Sequence, residues 1–132
     1  MILYKKRRKY KYTLFRPVDY AADIEVAEPG DWGLLAADGE GNLTIRQGYA
    51  WDGPSGPAID SKNFMRGSLI HDALYQLMRE QKIAQSQRKR ADEVLREVCR
   101  ADGMSRIRAW WVYRAVRMGA AKSALPDLLA AP

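Results

Sequence analysis

Apolar and polar positions follow two different rhythms along this 132-residue chain, and the change comes near residue 48. Before it, apolar residues alternate or come in short runs cut by turn residues. Residues 9–15 alternate and are rich in Tyr and Thr, with Tyr10 and Tyr12 spaced like the buried side of a strand, and Pro17 ends the run. Ile24-Glu25-Val26 predicts a second short strand, closed by the turn signal Pro29-Gly30-Asp31. Residues 32–36 and 43–45 flank Ala37-Asp38-Gly39-Glu40-Gly41-Asn42, a hairpin-like loop with two glycines. In residues 48–57, glycines and prolines forbid a continuous helix or ladder, while Tyr49 and Trp51 favour an ordered loop.

After that loop the period changes to that of a helix. A first helix is predicted over residues 62–81, with Phe64, Ile70, Leu74, Leu77 and Met78 on one side and Arg66, Arg79 and Glu80 toward water. Ser86 is placed to cap a second helix that runs to Ala101 with Ala91, Val94, Leu95 and Val98 as its stripe. Gly103 stands where a C-terminal cap belongs. Ser105 opens a third helix through Ile107, Trp110, Trp111, Val116 and Met118 to Gly119. The reading is therefore α+β: a small N-terminal antiparallel sheet joined to a C-terminal three-helix unit that includes an antiparallel helix pair.

Length makes this one domain spanning residues 1–132. It divides into a basic arm (1–12), a β-rich part (13–47), the loop with its three helices (48–119) and a tail (120–132). With 47% apolar and 29% charged residues, the composition is that of a folded globule and excludes a disordered chain. No run approaches the roughly 20 apolar residues of a membrane span. With charges following Met1-Ile2-Leu3-Tyr4 at once and no apolar core after them, no secretory signal is expected. Cys99 stands alone, so no internal disulfide holds the fold, as suits a reducing compartment.

Net charge is +6, and Lys5, Lys6, Arg7, Arg8, Lys9 and Lys11 precede the first acid, Asp19. Such an arm can hold phosphate, in nucleic acid or on an anionic lipid surface, or it can be a solvated tail.

His71, the single histidine, is followed by Asp72 in the first helix. Tyr75, four residues on, shares the histidine's face, and an antiparallel second helix can bring Asp92 to the ring. A carboxylate on one imidazole nitrogen fixes the tautomer and leaves the other as a base. Asp72, pointing elsewhere, can then join oxygens of residues 51–55 around a hard cation such as calcium. The competing reading makes His71 a hydrogen-bonded core residue, Asp72 a surface acid and Asp92 a partner of Arg88. One His and one Cys do not make a typical zinc site. The basic third helix shows no convincing helix-turn-helix pattern. Trp32, Trp51, Trp110 and Trp111 could supply a lipid-binding surface, but the favoured reading of the Trp110-Trp111 pair is core and crevice packing.

Five motifs in order carry a resemblance: Asp52-Gly53-Pro54-Ser55, then Phe64, then His71-Asp72-Ala73-Leu74-Tyr75, then Arg90-Ala91-Asp92, then residues 112–117. Over residues 48–119 the chain resembles the bacterial secreted phospholipases A-two. It resembles still more a phage-borne domain family of unknown function, family 1353. The phospholipase resemblance implies calcium held by Asp52, the Gly53 carbonyl and Asp72. It makes His71 the base that activates water, Asp92 its orienting carboxylate and Tyr75 a supporting hydroxyl. Pro54 and Ser68 stand where those enzymes carry a disulfide, and the first 47 residues have no clear counterpart there.

Two functions follow from these expectations. One is a calcium-dependent hydrolase of phospholipid esters acting at a membrane surface. The other is a non-enzymatic phage component that keeps the helices as scaffold and binds virion proteins, or nucleic acid through its arm. Host cytoplasm or virion is the expected location.

Overall fold

The computed structural model describes residues 4–6, 12–51, 62–119 and 124, the first three by their backbone. Strands β1 (Tyr4–Lys6), β2 (Tyr12–Leu14) and β7 (Ala50–Trp51) form one antiparallel sheet, ordered β1-β2-β7, with Tyr12 opposite Trp51. Strands β3 (Val18–Ala21), β4 (Gly30–Asp31), β5 (Leu35–Ala37) and β6 (Asn42–Ile45) form a second, ordered β3-β6-β5-β4 and antiparallel throughout. The β-rich part is thus two sheets rather than the single small one expected. Pro17 explains the division: it has no N–H to give a ladder, so the chain leaves the first sheet after Leu14 and re-enters the second at Val18.

The expected strand at Ile24–Val26 does not form. Both side chains are buried, but the backbone turns at Asp23 (φ 50). The Ala22 and Asp23 carbonyls are instead taken by the Arg90 guanidinium, at 2.9 and 3.0 Å. The expected run over residues 32–36 is split by Gly33 at φ +97. The hairpin between β5 and β6 forms as expected. Asp38 accepts the Glu40 and Asn42 backbone N–H groups, and Gly41 sits at φ +84, where a Cβ would come within 2.7 Å of the Ile24 carbonyl.

Helix α1 (Lys62–Arg79) is the axis of the molecule, burying residues from both sides of its cylinder between the sheets and the other helices. Gln81 (φ 63) then reverses the chain, and Lys82 donates back to Leu77. Ser86 does not cap helix α2 (Arg88–Ala101): it lies in a single 3-10 turn, Gln85–Gln87, that leads into the helix, and no side chain caps the junction. At the far end the cap is as expected. Gly103 (φ +99) lets its own N–H reach Arg100 and the Met104 N–H reach Cys99, which turns Met104 into the core. Ser105 Oγ accepts the Arg108 N–H and starts helix α3 (Arg106–Gly119).

The two halves share one core: Leu14, Leu43, Ile45 and Trp51 from the sheets meet Leu69, Leu74 and Leu77 of α1 and Val94 and Val98 of α2. A second cluster joins Phe64, Leu95, Cys99, Met104 and Ala109, against which Val112 and Val116 pack. At Gly67 helices α1 and α2 approach so closely that a Cβ would lie 2.7 Å from Cys99 Sγ. The sequence expectation fails at α3. Its inward face is Ala109, Val112 and Val116, so Trp110 (42% exposed) and Trp111 (62%) lie outside rather than in the core. Among the described residues no helix is long and apolar enough to cross a membrane.

Candidate functional site

Helices α1 and α2 place His71, Tyr75 and Asp92 together. On α1 the four-residue spacing stacks the two rings, with centroids 4.2 Å apart. On α2 Asp92 falls inside the apolar stripe, between Ala91 and Val94, and is fully buried. Its Oδ1 lies 2.7 Å from His71 Nε2 and 2.6 Å from the Tyr75 hydroxyl. A carboxylate only accepts, so Nε2 carries the proton and donates it, leaving Nδ1 as the nitrogen able to take one up. The three residues expected to form the catalytic group are thus brought into contact.

The other carboxylate oxygen meets two arginines. Arg117 Nη1, from α3, is 2.9 Å from Oδ2, and Arg88 Nη1, one turn before Asp92 on α2, is 3.7 Å away. The Arg88 pairing was legible from its i, i+4 spacing. Arg117 was not: it stands 25 residues from Asp92, and only the packing of α3 on α2 brings them together. Both the His71 and Arg88 readings of Asp92 hold, each at a different oxygen.

Burial on its own pushes the Asp92 carboxyl up. Hydrogen bonds from His71 and Tyr75, the charge of His71 and the bond from Arg117 outweigh it and hold the group below the usual range. Burial foremost, then the bond to Asp92, raises the Tyr75 hydroxyl, so it stays protonated and donates. The site is a buried carboxylate kept ionised, a histidine oriented by it and a tyrosine that fills the remaining lone pair.

Of the expected calcium ligands, Asp72 lies half-buried on α1, the residue after His71. Asp52 and Gly53 lie outside the described residues. Among the described residues no three His, Cys, Asp or Glu side chains gather into a group able to hold a metal. Asp72 supplies the oxygen donor that a hard cation takes, but one carboxylate does not make a site.

Ser68, one turn before His71, does have a partner. Trp51 Nε1 donates to its Oγ at 3.2 Å, and that hydroxyl donates to the Met65 carbonyl at 2.9 Å. Tyr49 donates to Gln76 Oε1 at 2.8 Å. Two aromatic side chains on either side of Ala50 therefore fasten β7 along α1, beside the His71 turn. The basic arm's residues 7–11 and the Asp52 to Ser55 motif lie outside the described residues.

The chain matches the family described as proteins of unknown function (DUF1353) over residues 34–116, well over half its length, and it belongs to that family. The match starts at β5 and runs through Asp92 into α3, so it contains the whole His71–Tyr75–Asp92 group. No curated protein and no solved structure matches the chain significantly.

Proposed function

We propose that this protein is a hydrolase of phospholipid esters in which His71, oriented by Asp92, activates water. The observation that carries the reading is the 2.7 Å contact between His71 Nε2 and a fully buried, ionised Asp92. In the proposed reaction Nδ1 takes a proton from water as its oxygen attacks the ester carbonyl carbon. The imidazolium so formed is stabilised by Asp92, and its proton passes to the departing alcohol oxygen as the ester C–O bond breaks. Tyr75 keeps Asp92 in place throughout, and Arg117 supports the same carboxylate from α3. The products are a fatty acid and a lysophospholipid. Ester and phospholipid specificity rests on the resemblance to the phospholipases A-two, as does calcium, for which Asp72, Asp52 and Gly53 are the proposed ligands. When bound, the ion would polarise the carbonyl oxygen.

A second reading draws on the arginines. With His71, Tyr75 and Arg117 hydrogen-bonded to Asp92 and Arg88 3.7 Å away, the cluster is a polar network that can simply lock three helices together. The protein would then be a non-enzymatic phage component, binding virion proteins or nucleic acid. Fatty-acid release from phosphatidylglycerol vesicles, with and without calcium, separates the two. Release that His71→Ala abolishes and Asp72→Asn makes calcium-independent or very weak supports the hydrolase. Release by neither the wild type nor a variant, under conditions where the protein is folded, supports the scaffold.

A further inference from the structure

Helix α3 is apolar on two sides. Its inner side, Ala109, Val112 and Val116, is accounted for by α2. Its outer side carries Ile107 (73% exposed), Trp111 (62%) and Met118 (79%) in one stripe, with Trp110 (42%) beside it. These positions recur at spacings of three, four and seven residues, the pattern of a face meant to be covered. Exposed large apolar side chains are ordinary when scattered. Four of them along roughly 16 Å of one helix face are a patch.

The charges on α3 select the occupant. The helix contains Arg106, Arg108, Arg114 and Arg117 and no acid. Arg106 and Arg114 are exposed with the stripe, and the Arg114 guanidinium lies over the Trp110 ring at 5.7 Å. A second copy docked face to face would set arginine against arginine with no carboxylate on this helix to answer it, which disfavours self-association. An anionic surface meets both demands, since arginines take its phosphates while the tryptophans and aliphatic side chains enter the layer below.

We propose that the outer face of α3 is a docking surface for an anionic phospholipid bilayer, with Trp110, Trp111, Ile107 and Met118 inserted at the headgroup boundary and Arg106 and Arg114 on its phosphates. The choice of lipid over another anionic occupant rests on the hydrolase reading, and it adds to that reading a surface that would set the site against its substrate. Arg117, on the same helix, reaches Asp92, so α3 joins the docking face to the catalytic group.

The test measures binding without turnover. The full-length His71→Ala protein is mixed with vesicles of phosphatidylcholine containing increasing phosphatidylglycerol, and partition is read by sedimentation and by the blue shift of tryptophan emission. Binding is expected to rise with phosphatidylglycerol, to weaken with salt, and to drop about tenfold or more in Ile107→Ser/Trp111→Ser. Arg114→Glu, which leaves the apolar stripe intact, is expected to weaken binding to anionic vesicles alone. Thermal melts confirm that both variants fold. Binding unchanged in these variants, or no binding to any vesicle, overturns the proposal. So does a dimer dispersed by Trp111→Ser, or nucleic-acid binding that needs the same tryptophans. Wild-type hydrolysis of a soluble short-chain phospholipid, measured alongside, distinguishes a failed docking face from a failed hydrolase.

Discussion

Arg117 Nη1 sits 2.9 Å from Asp92 Oδ2, so the carboxylate that orients His71 is held from a third helix. Removing the guanidinium leaves a fully buried carboxylate with Arg88, at 3.7 Å, as its remaining arginine. Arg117→Met should therefore cost about 2 kcal/mol in urea unfolding, the size of a hydrogen bond to a charged group and less than that of a broken, fully buried pair. In the proposed reaction it should also slow ester hydrolysis by loosening Asp92. A stability unchanged within 0.5 kcal/mol, as is usual for surface substitutions, would mean that Arg88 alone suffices.

Asp92→Asn keeps the shape of the side chain but removes its charge. It turns one acceptor toward His71 and Tyr75 into a competing donor, or leaves Arg117 facing an amide. The expected loss is about 3 kcal/mol. The pH dependence has a definite sign. The Asp92 carboxyl lies below its usual range in the folded protein, so its contribution is fully present above the unfolded value of about 4 and is lost as pH falls through the lower folded value. Urea midpoints of the wild type should fall below about pH 4, and those of Asp92→Asn should fall less steeply there.

Tyr75→Phe deletes a single hydroxyl. Asp92 loses its 2.6 Å donor but keeps His71 and Arg117. A loss of about 1.5 kcal/mol is expected. The ring contact with His71 is retained, so the imidazole should keep its place. The NMR signal of the His71 Nε2 proton, shielded from exchange by its bond to Asp92, checks this: it should persist in the variant and would be lost from an imidazole released from Asp92.

Gly67→Ala tests the crossing of α1 and α2. Alanine favours a helix over glycine by about 1 kcal/mol, but here its Cβ would lie 2.7 Å from Cys99 Sγ and 3.1 Å from Leu95 Cδ1. The clash should win, giving a net loss of about 1–2 kcal/mol. Gly67→Ala/Cys99→Ala should recover most of it, because the nearest offending atom is gone. Burial pushes the Cys99 thiol up to about 12, so wild-type protein should also resist thiol reagents until it unfolds.

The helical half was largely legible because its signals are local. The stripes of α1 and α2, the Ser105 cap and the Gly103 cap depend on residues a turn apart, and all four stand where the sequence placed them. The antiparallel pairing of two adjacent helices followed from their short connection, and with it the meeting of His71 and Asp92. The errors lie where distant partners decide. Ile24–Val26 has a strand's pattern, but the backbone turns just before it at Asp23 (φ 50), where Arg90, far along the chain, holds the Ala22 and Asp23 carbonyls. The division into two sheets depends on pairing between β2 and β7, far apart in sequence. The sequence favours core packing for Trp110 and Trp111, yet two faces of α3 are apolar and, among the described residues, a helix covers the Ala109, Val112 and Val116 face while the tryptophans stay exposed.

The indole of Trp51 and the hydroxyl of Ser68 hold β7 to the turn of α1 that precedes His71. A fastening made of N–H and O–H groups has no reduction potential. Dithiothreitol or glutathione would leave it untouched, and no oxidant or disulfide isomerase is needed to form it during folding. Its strength answers instead to whatever competes for hydrogen bonds, such as urea or water entering the crevice, so this edge of the molecule would loosen reversibly with solvent where a sulfur bridge would be cut or kept by redox chemistry.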